Sequence, residues 1–479
     1  MKQNPILRIT FALLLIGLGQ SAVAQAAEAT PGILAFGHGG GKKMLYDNRQ
    51  RPQAVYLNGK VFIGYKGNAE RVVKGVKRKK LPGALAYTLI VSYDPLTREF
   101  SDPIQLGEPT SDHHFCPIVW ADNDDHLHVL HGCHNTSGTH LISMEPGEMG
   151  QDESTGWVKA GDIAPNISYP TLFQADDNRQ LLYYRTGGHT SSWSYSLSSD
   201  NGRTWQKRDQ DVTDLDAVSH PQWSSYHCKI MSADGRFLHV FFTDYDDNKP
   251  DDPARYYNPR YKRAVPNEWK YNLSYLKINL ATHEVLNDRN IVLDTPVNFT
   301  TAREHCLIWD TDWRGAGVPP AVMLDHNGNP AVLHVLSEED TETHTYYYVR
   351  KDSSGTWVHT PVTASNHQWN SGYIRRDEQG QIHAYVIVGE GYLNLPGVNN
   401  THGGGRIEQW VSKDHGNTWA KFRDITPDPQ RYAGMRYNNI QPILRPDGSA
   451  VDGMLLFYGW KHDTEPDGVA FLLDESSQP

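Results

Sequence analysis

A strand–turn–strand unit recurs along this chain and leaves little choice of fold. Val55-Tyr56-Leu57 leads through Asn58-Gly59 to Lys60-Val61-Phe62-Ile63-Gly64-Tyr65. The same unit starts again near residues 117, 171, 229, 322, 373 and 442, with Asn, Asp or Gly between two short apolar runs. Asn-Gly and Asp-Gly are the strongest short hairpin signals, because they accept the positive φ angles of a tight turn. Seven hairpins at a loose spacing of roughly 50–60 residues, with a two-residue rather than a helical period, predict an all-β chain built as a seven-bladed β-propeller. The longest insertions fall around residues 243–270 and 388–405.

A second repeat agrees. Ser198, Asp200, Gly202, Thr204 and Trp205 share their spacing with Ser412, Asp414, Gly416, Thr418 and Trp419, and Asp352 to Trp357 is a degenerate third copy. These resemble the Asp-box, a hairpin turn of sialidase-type propellers. The Asp side chain bonds turn amides, the Gly takes positive φ and the Trp packs between blades. The motif speaks for architecture and is silent on chemistry.

Lys2 and Arg8 precede an apolar stretch, Ile9 to Leu18, and small residues at Ala22-Val23-Ala24 and Ala24-Gln25-Ala26 fit a cleavage site. Residues 1–26 therefore read as a signal peptide, and 27–479 as one propeller domain that is secreted or periplasmic. No other apolar run approaches the roughly 20 residues of a membrane helix. The net charge of −11, from 45 bases and 56 acids, argues against a nucleic-acid binder. Cys116, Cys133, Cys228 and Cys306 are too widely spaced for a disulfide framework, and a chain of 479 residues does not need one. A monomer is expected.

In a propeller the first strand of each blade lines the central channel, so the residues entering each hairpin are the candidates for chemistry. Three entries are rich in titratable and aromatic groups. Asp112-His113-His114 opens the second hairpin, whose outgoing strand ends in His131-Gly132-Cys133-His134. Ser168-Tyr169-Pro170 opens the third, whose outgoing strand ends in Tyr184-Arg185. Ser225-Tyr226-His227-Cys228 opens the fourth. His126, His128, His239 and His383 sit in outgoing strands without this pattern and read as structural.

The set is a His before one hairpin (His114), a second His twenty residues on (His134), a Tyr followed sixteen residues later by an Arg (Tyr169 and Arg185), and a Tyr in the next blade (Tyr226). It resembles the ulvan lyases of the seven-bladed propeller type, polysaccharide lyase families 24 and 25. His113 is an alternative to His114, since neighbours on a strand face opposite sides. The resemblance implies β-elimination on a sulfated, uronate-containing polysaccharide. Such chemistry needs these residue types. The C5 proton is acidic only because it lies α to a carboxylate, and a guanidinium neutralises that carboxylate best. Arg185 takes this role. His134 and Tyr169 are the candidates for base and acid. His114 and Tyr226 position the sugar or share the proton work. The basic run Arg71 to Lys80, unusual in an acidic chain, reads either as a solvated loop or as a clamp for sulfate.

His227-Cys228 and His305-Cys306 occupy matching blade positions, with His367 in the next entry. Thiolate and imidazole suit zinc, so Cys228, Cys306 and His367 form a candidate structural metal site. Structural calcium is also known in propellers of this type, but the sequence offers no ligand loop for it, and no organic cofactor is expected. Two rival functions remain. A sialidase-like hydrolase would need three arginines about one carboxylate and an Arg-Ile-Pro segment, which does not occur. A carbohydrate-binding propeller without catalysis would leave the gathering of His, Tyr and Arg unexplained.

Overall fold

Each of the seven sequence hairpins forms a pair of antiparallel strands. The inner pairs are Ala54–Leu57 with Lys60–Gly67, Ile118–Ala121 with Leu127–His131, and Ile167–Gln174 with Gln180–Arg185. They continue with Trp223–Met231 and Phe237–Asp246, Ala321–Leu324 and Pro330–Ser337, Tyr373–Arg376 and Ile382–Val388, and Met435–Leu444 and Ala450–Lys461. The computed structural model describes residues 32–39, 44–68, 85–175, 179–188, 191–214, 223–246, 257–258, 263–264, 269–340, 343–389, 403–461 and 468–475. The signal-peptide segment 1–26 and the basic run 71–80 lie outside these residues.

Further strands extend most pairs into small antiparallel sheets, which form a β-propeller-like arrangement. The largest sheet has nine strands, and a single parallel pair, Val55 with Leu444, joins its two halves. Its far side is completed by the first described strand, Ile33–His38, which pairs antiparallel with the last, Val469–Asp474. Among the described residues, helix is confined to Glu153–Gly156, Phe299–Thr301 and a π-turn at Ala302–Cys306. No helix among them is long and apolar enough to cross a membrane.

The core lies between sheets, as two-residue periodicity requires: alternate side chains leave each strand on opposite faces, and both faces are covered. Val55, Phe62 and Ile90 of one sheet pack on Val119, Val129 and Leu141 of the next. Leu181, Tyr183 and Tyr195 likewise meet Leu238, Val240 and Phe242. The Asp-box turns join the outermost strands and behave as their sequence requires. Asp200 accepts from the Thr204 amide (2.9 Å) and hydroxyl (2.6 Å). Asp414 does the same with Thr418 (2.9 and 2.7 Å), and Gly202 and Gly416 take φ of 73° and 88°. Trp205 and Trp419 pack against separate inter-sheet clusters.

Candidate active site

The entries to several inner strands converge on a cavity of about 320 Å³ whose wall includes Asp47, Arg49, His114, Tyr169, Tyr226 and Asn439. The inner strand carrying Tyr169 is not regular. Its register shifts between Ser168 and Thr171, and Tyr169 takes a φ of 54°. A left-handed φ is uncommon for an aromatic residue and is tolerated where a bulge re-aims a side chain. Asn439, on the bulged strand Met435–Leu444, has a φ of 63° and joins the same wall. Two left-handed residues at bulges thus shape the cavity, a common use of stored backbone strain.

The five site residues expected from the sequence meet. The His114 and His134 ring centres are 4.4 Å apart, and the Tyr169 ring centre lies 5.4 Å from His114 and 5.9 Å from His134. The Tyr169 and Tyr226 hydroxyls are 3.5 Å apart. Arg185 Cζ sits 4.6 Å from the Tyr169 ring centre and 5.3 Å from that of Tyr226. Arg185 is 0% exposed, and neither of its Nη atoms makes a hydrogen bond of good geometry. Burial works against its charge, and the two phenols outweigh that effect, so its affinity for the proton is raised. Arg185 therefore stands behind the tyrosines rather than on the cavity wall.

Two carboxylates orient the histidines. His134 Nδ1 lies 2.8 Å from Asp112 Oδ2, and His114 Nδ1 lies 2.9 Å from Asp47 Oδ2. With those Nδ1 atoms protonated, the Nε2 atoms are left with lone pairs. Burial pushes the His114 imidazole well below its usual value, more than the Asp47 contact raises it, so it is neutral at ordinary pH. Burial would raise Asp47, but Arg49 and His114 more than reverse this and keep it ionised.

The sequence reading missed Asp47 and Arg49. Their signal was available, because Tyr46-Asp47-Asn48-Arg49 enters the first hairpin just as Asp112-His113-His114 enters the second. The alternation expected of His113 and His114 does not hold. Both lie in a turn, their ring centres are 3.8 Å apart, and both line the cavity. The four histidines read as structural are bonded within their surroundings. His126 Nδ1 is 2.8 Å from the Ser143 carbonyl, His239 Nδ1 is 2.7 Å from the Tyr275 hydroxyl, and His383 Nε2 is 2.8 Å from Asp377. His128 stacks on Trp120 at 4.9 Å.

The zinc expectation fails on geometry: Cys228, Cys306 and His367 do not come together. Cys228 packs beside Phe241 and Tyr275, whereas Cys306 belongs to the apolar cluster of Tyr169 and Tyr226. Burial pushes both thiols up to about 12, away from the thiolate that zinc requires. The His367 Nδ1 accepts the Trp369 amide at 3.0 Å. Among the described residues, the group with ligand atoms close enough to hold one ion is Asp112, His114 and His134, all within 4.8 Å of one another.

Residues 60–365 match the model of the BNR repeat-containing family. An ulvan lyase of Alteromonas sp. (strain LOR) is 23% identical over 314 residues, covering 59% of this chain and 57% of the relative. An ulvan lyase of Nonlabens ulvanivorans is 23% identical over 320 residues, covering 60% and 61%. The chain thus matches about three-fifths of the length of these relatives. Among solved structures, a PL25 ulvan lyase bound to -[GlcA(1-4)Rha3S]- superposes with a TM-score of 0.68 at 17% identity, covering 91% of this chain and 93% of that one. The polysaccharide lyase Uly1 superposes with a TM-score of 0.58 at 13% identity, covering 89% and 90%. At these identities the structural likeness concerns the fold.

Proposed function

The chain belongs to the BNR repeat-containing family, and from that premise we propose that it is an exported polysaccharide lyase that cleaves ulvan-type, sulfated, uronate-containing polysaccharide by β-elimination. One observation carries the reading. Two carboxylate-oriented histidines and two phenols in contact gather at one cavity, with the buried guanidinium of Arg185 behind the phenols. The relatives named as ulvan lyases support the substrate class.

The reaction asks for three things. The uronate carboxylate must be neutralised, and we assign this to Arg185, acting as a buried positive charge behind Tyr169 and Tyr226. The C5 proton must pass to a base, Tyr169 or His134, while the electron pair of the C5–H bond forms the C4=C5 double bond. The C4–O4 bond breaks, and the departing oxygen takes a proton from the other member of that pair, while His114 positions the sugar. No water enters the product. Tyr226, its hydroxyl 3.5 Å from that of Tyr169, positions the sugar beside the phenol that works.

The same reading includes seven blades. Splitting the nine-stranded sheet at its lone parallel pair yields two ordinary units, and apolar clusters then join every consecutive pair of sheets, including the last with the first.

The test is incubation of the purified protein with ulvan while ultraviolet absorbance and chain length are followed. Shortened chains with rising absorbance mark an unsaturated uronate and support the lyase. Shortening without absorbance would mean hydrolysis, and binding without shortening would mean a carbohydrate-binding module; either result overturns the proposal.

A further inference from the structure

Arg49 and Arg185 flank the same phenol but differ in what they have left to offer. Arg49 Nε donates to Asp47 Oδ1 at 2.7 Å and its Nη2 to Asp47 Oδ2 at 2.6 Å, a bidentate pair with a wholly buried carboxylate. The same Nη2 lies 3.3 Å from His114 Nδ1. Its Cζ lies 4.5 Å from the Tyr169 ring centre and 5.7 Å from that of Tyr226. The Arg49 side chain is 10% exposed and lines the cavity, whereas Arg185 does neither. A guanidinium that gives its Nε and Nη2 edge to its own carboxylate has no second bidentate edge of the same kind for another. It remains a fixed positive charge.

We propose that Arg49, held by Asp47, is a positioning residue for proton transfer: it keeps a cation against the Tyr169 ring so that this phenol can release its proton and act as the base, and it ties that charge to His114. The proposal rests on the lyase reading above. Tyr169 is faced by Arg49 and Asp47 from the first hairpin's entry, by His114 and His134, by Arg185 across its own sheet, and by Tyr226. Two guanidiniums against one adjacent carboxylate leave positive charge beside the ring. Burial holds the phenol well above its ordinary value, and Arg49 is the strongest influence against that rise, ahead of Arg185. Without such a cation, a phenol this buried would hold its proton more tightly still.

The experiment compares wild type with Arg49→Gln, Arg49→Lys, Asp47→Asn and the double variant Asp47→Asn/Arg49→Gln. Two quantities are measured: the pH dependence of kcat, and the substrate-free ionisation of Tyr169, read as the phenolate absorbance that disappears in Tyr169→Phe. Arg49→Gln is expected to move both to higher pH by about one unit or more. Asp47→Asn is expected to move them to lower pH, because the cation is left unopposed. Arg49→Lys should restore most of the wild-type profile. Removing one partner of a buried ion pair destabilises the fold, so melting curves accompany each variant, and the double variant strands no lone charge. A rate that falls equally at every pH in Arg49→Gln, or shifts of the same sign in Arg49→Gln and Asp47→Asn, would overturn the proposal. If wild type makes no unsaturated product, the lyase reading fails, while the Tyr169 titration still decides the role of Arg49.

Discussion

His134 Nδ1 lies 2.8 Å from Asp112 Oδ2, and this contact sets which nitrogen of the imidazole carries the proton. Burial alone would raise the Asp112 carboxyl, but His134 and the His114 amide outweigh it and hold the group well below the usual carboxylate range. A permanent acceptor at Nδ1 keeps the proton there and the lone pair at Nε2. Asp112→Asn would offer a donor in its place and favour the opposite tautomer. A fall in kcat of about 10–100-fold, with little change in KM, is expected from steady-state kinetics. An unchanged kcat would take Nε2 of His134 out of the reaction.

The proton-transfer pair can be tested with near-isosteric changes. Tyr169→Phe and His134→Asn should each lose activity by about 10²-fold or more, the usual scale for general acid–base catalysis. Substrate affinity should change little, as both replacements keep most of the side chain's shape. His126→Asn and His383→Asn remove imidazoles bonded outside the cavity and should leave turnover near wild type. An active Tyr169→Phe enzyme would pass the base role to the histidines.

Arg185→Ala addresses charge neutralisation. Loss of a stabilising donor in a water-excluded site typically costs about 10²–10³-fold in kcat. The prediction is a loss of that size with the β-rich circular dichroism spectrum retained. Retention of more than about a tenth of the wild-type rate would move the carboxylate site elsewhere.

Stability should fall in mild acid for a reason unrelated to catalysis. Burial pushes the imidazoles of His140 and His334 down to about 3 and that of His239 down to about 4. In the unfolded chain a histidine titrates near about 6.5. Between those values the unfolded chain takes up protons that the folded chain refuses, so stability rises with pH across the window and is lost as pH drops through it. Thermal melts should show Tm decreasing steadily from pH of about 6.5 to about 4. A flat Tm over that range would contradict the burial of these rings.

The hairpins were legible because their signal is local: Asn58-Gly59 or Asp447-Gly448 dictates a turn whatever surrounds it. The five candidate residues could be grouped from the sequence because each enters or leaves an inner strand, and the fold brings their side chains together. What the sequence hid depends on three-dimensional neighbours. Cys228 lies on an inner strand and Cys306 in the π-turn Ala302–Cys306, and they pack into different clusters, so the shared His-Cys sequence did not make them partners. Arg185 was expected at the substrate carboxylate, but it is buried behind the Tyr169 ring. Asp47 and Arg49 gain meaning only once Asp47 is found against His114, a residue of another sheet.

The pairing of Ile33–His38 with Val469–Asp474 has a bearing on biogenesis. Of the described strands, Ile33–His38 is made first and Val469–Asp474 last, so this sheet cannot be completed until the chain has been synthesised past residue 474. Until then the nascent chain carries an open sheet edge, the kind of surface that pairs with strangers. Such long-range strand pairing also closes slowly. A chain wired this way gains from being kept unfolded until Val469–Asp474 has emerged, and removal of either strand should leave an open sheet edge prone to aggregation.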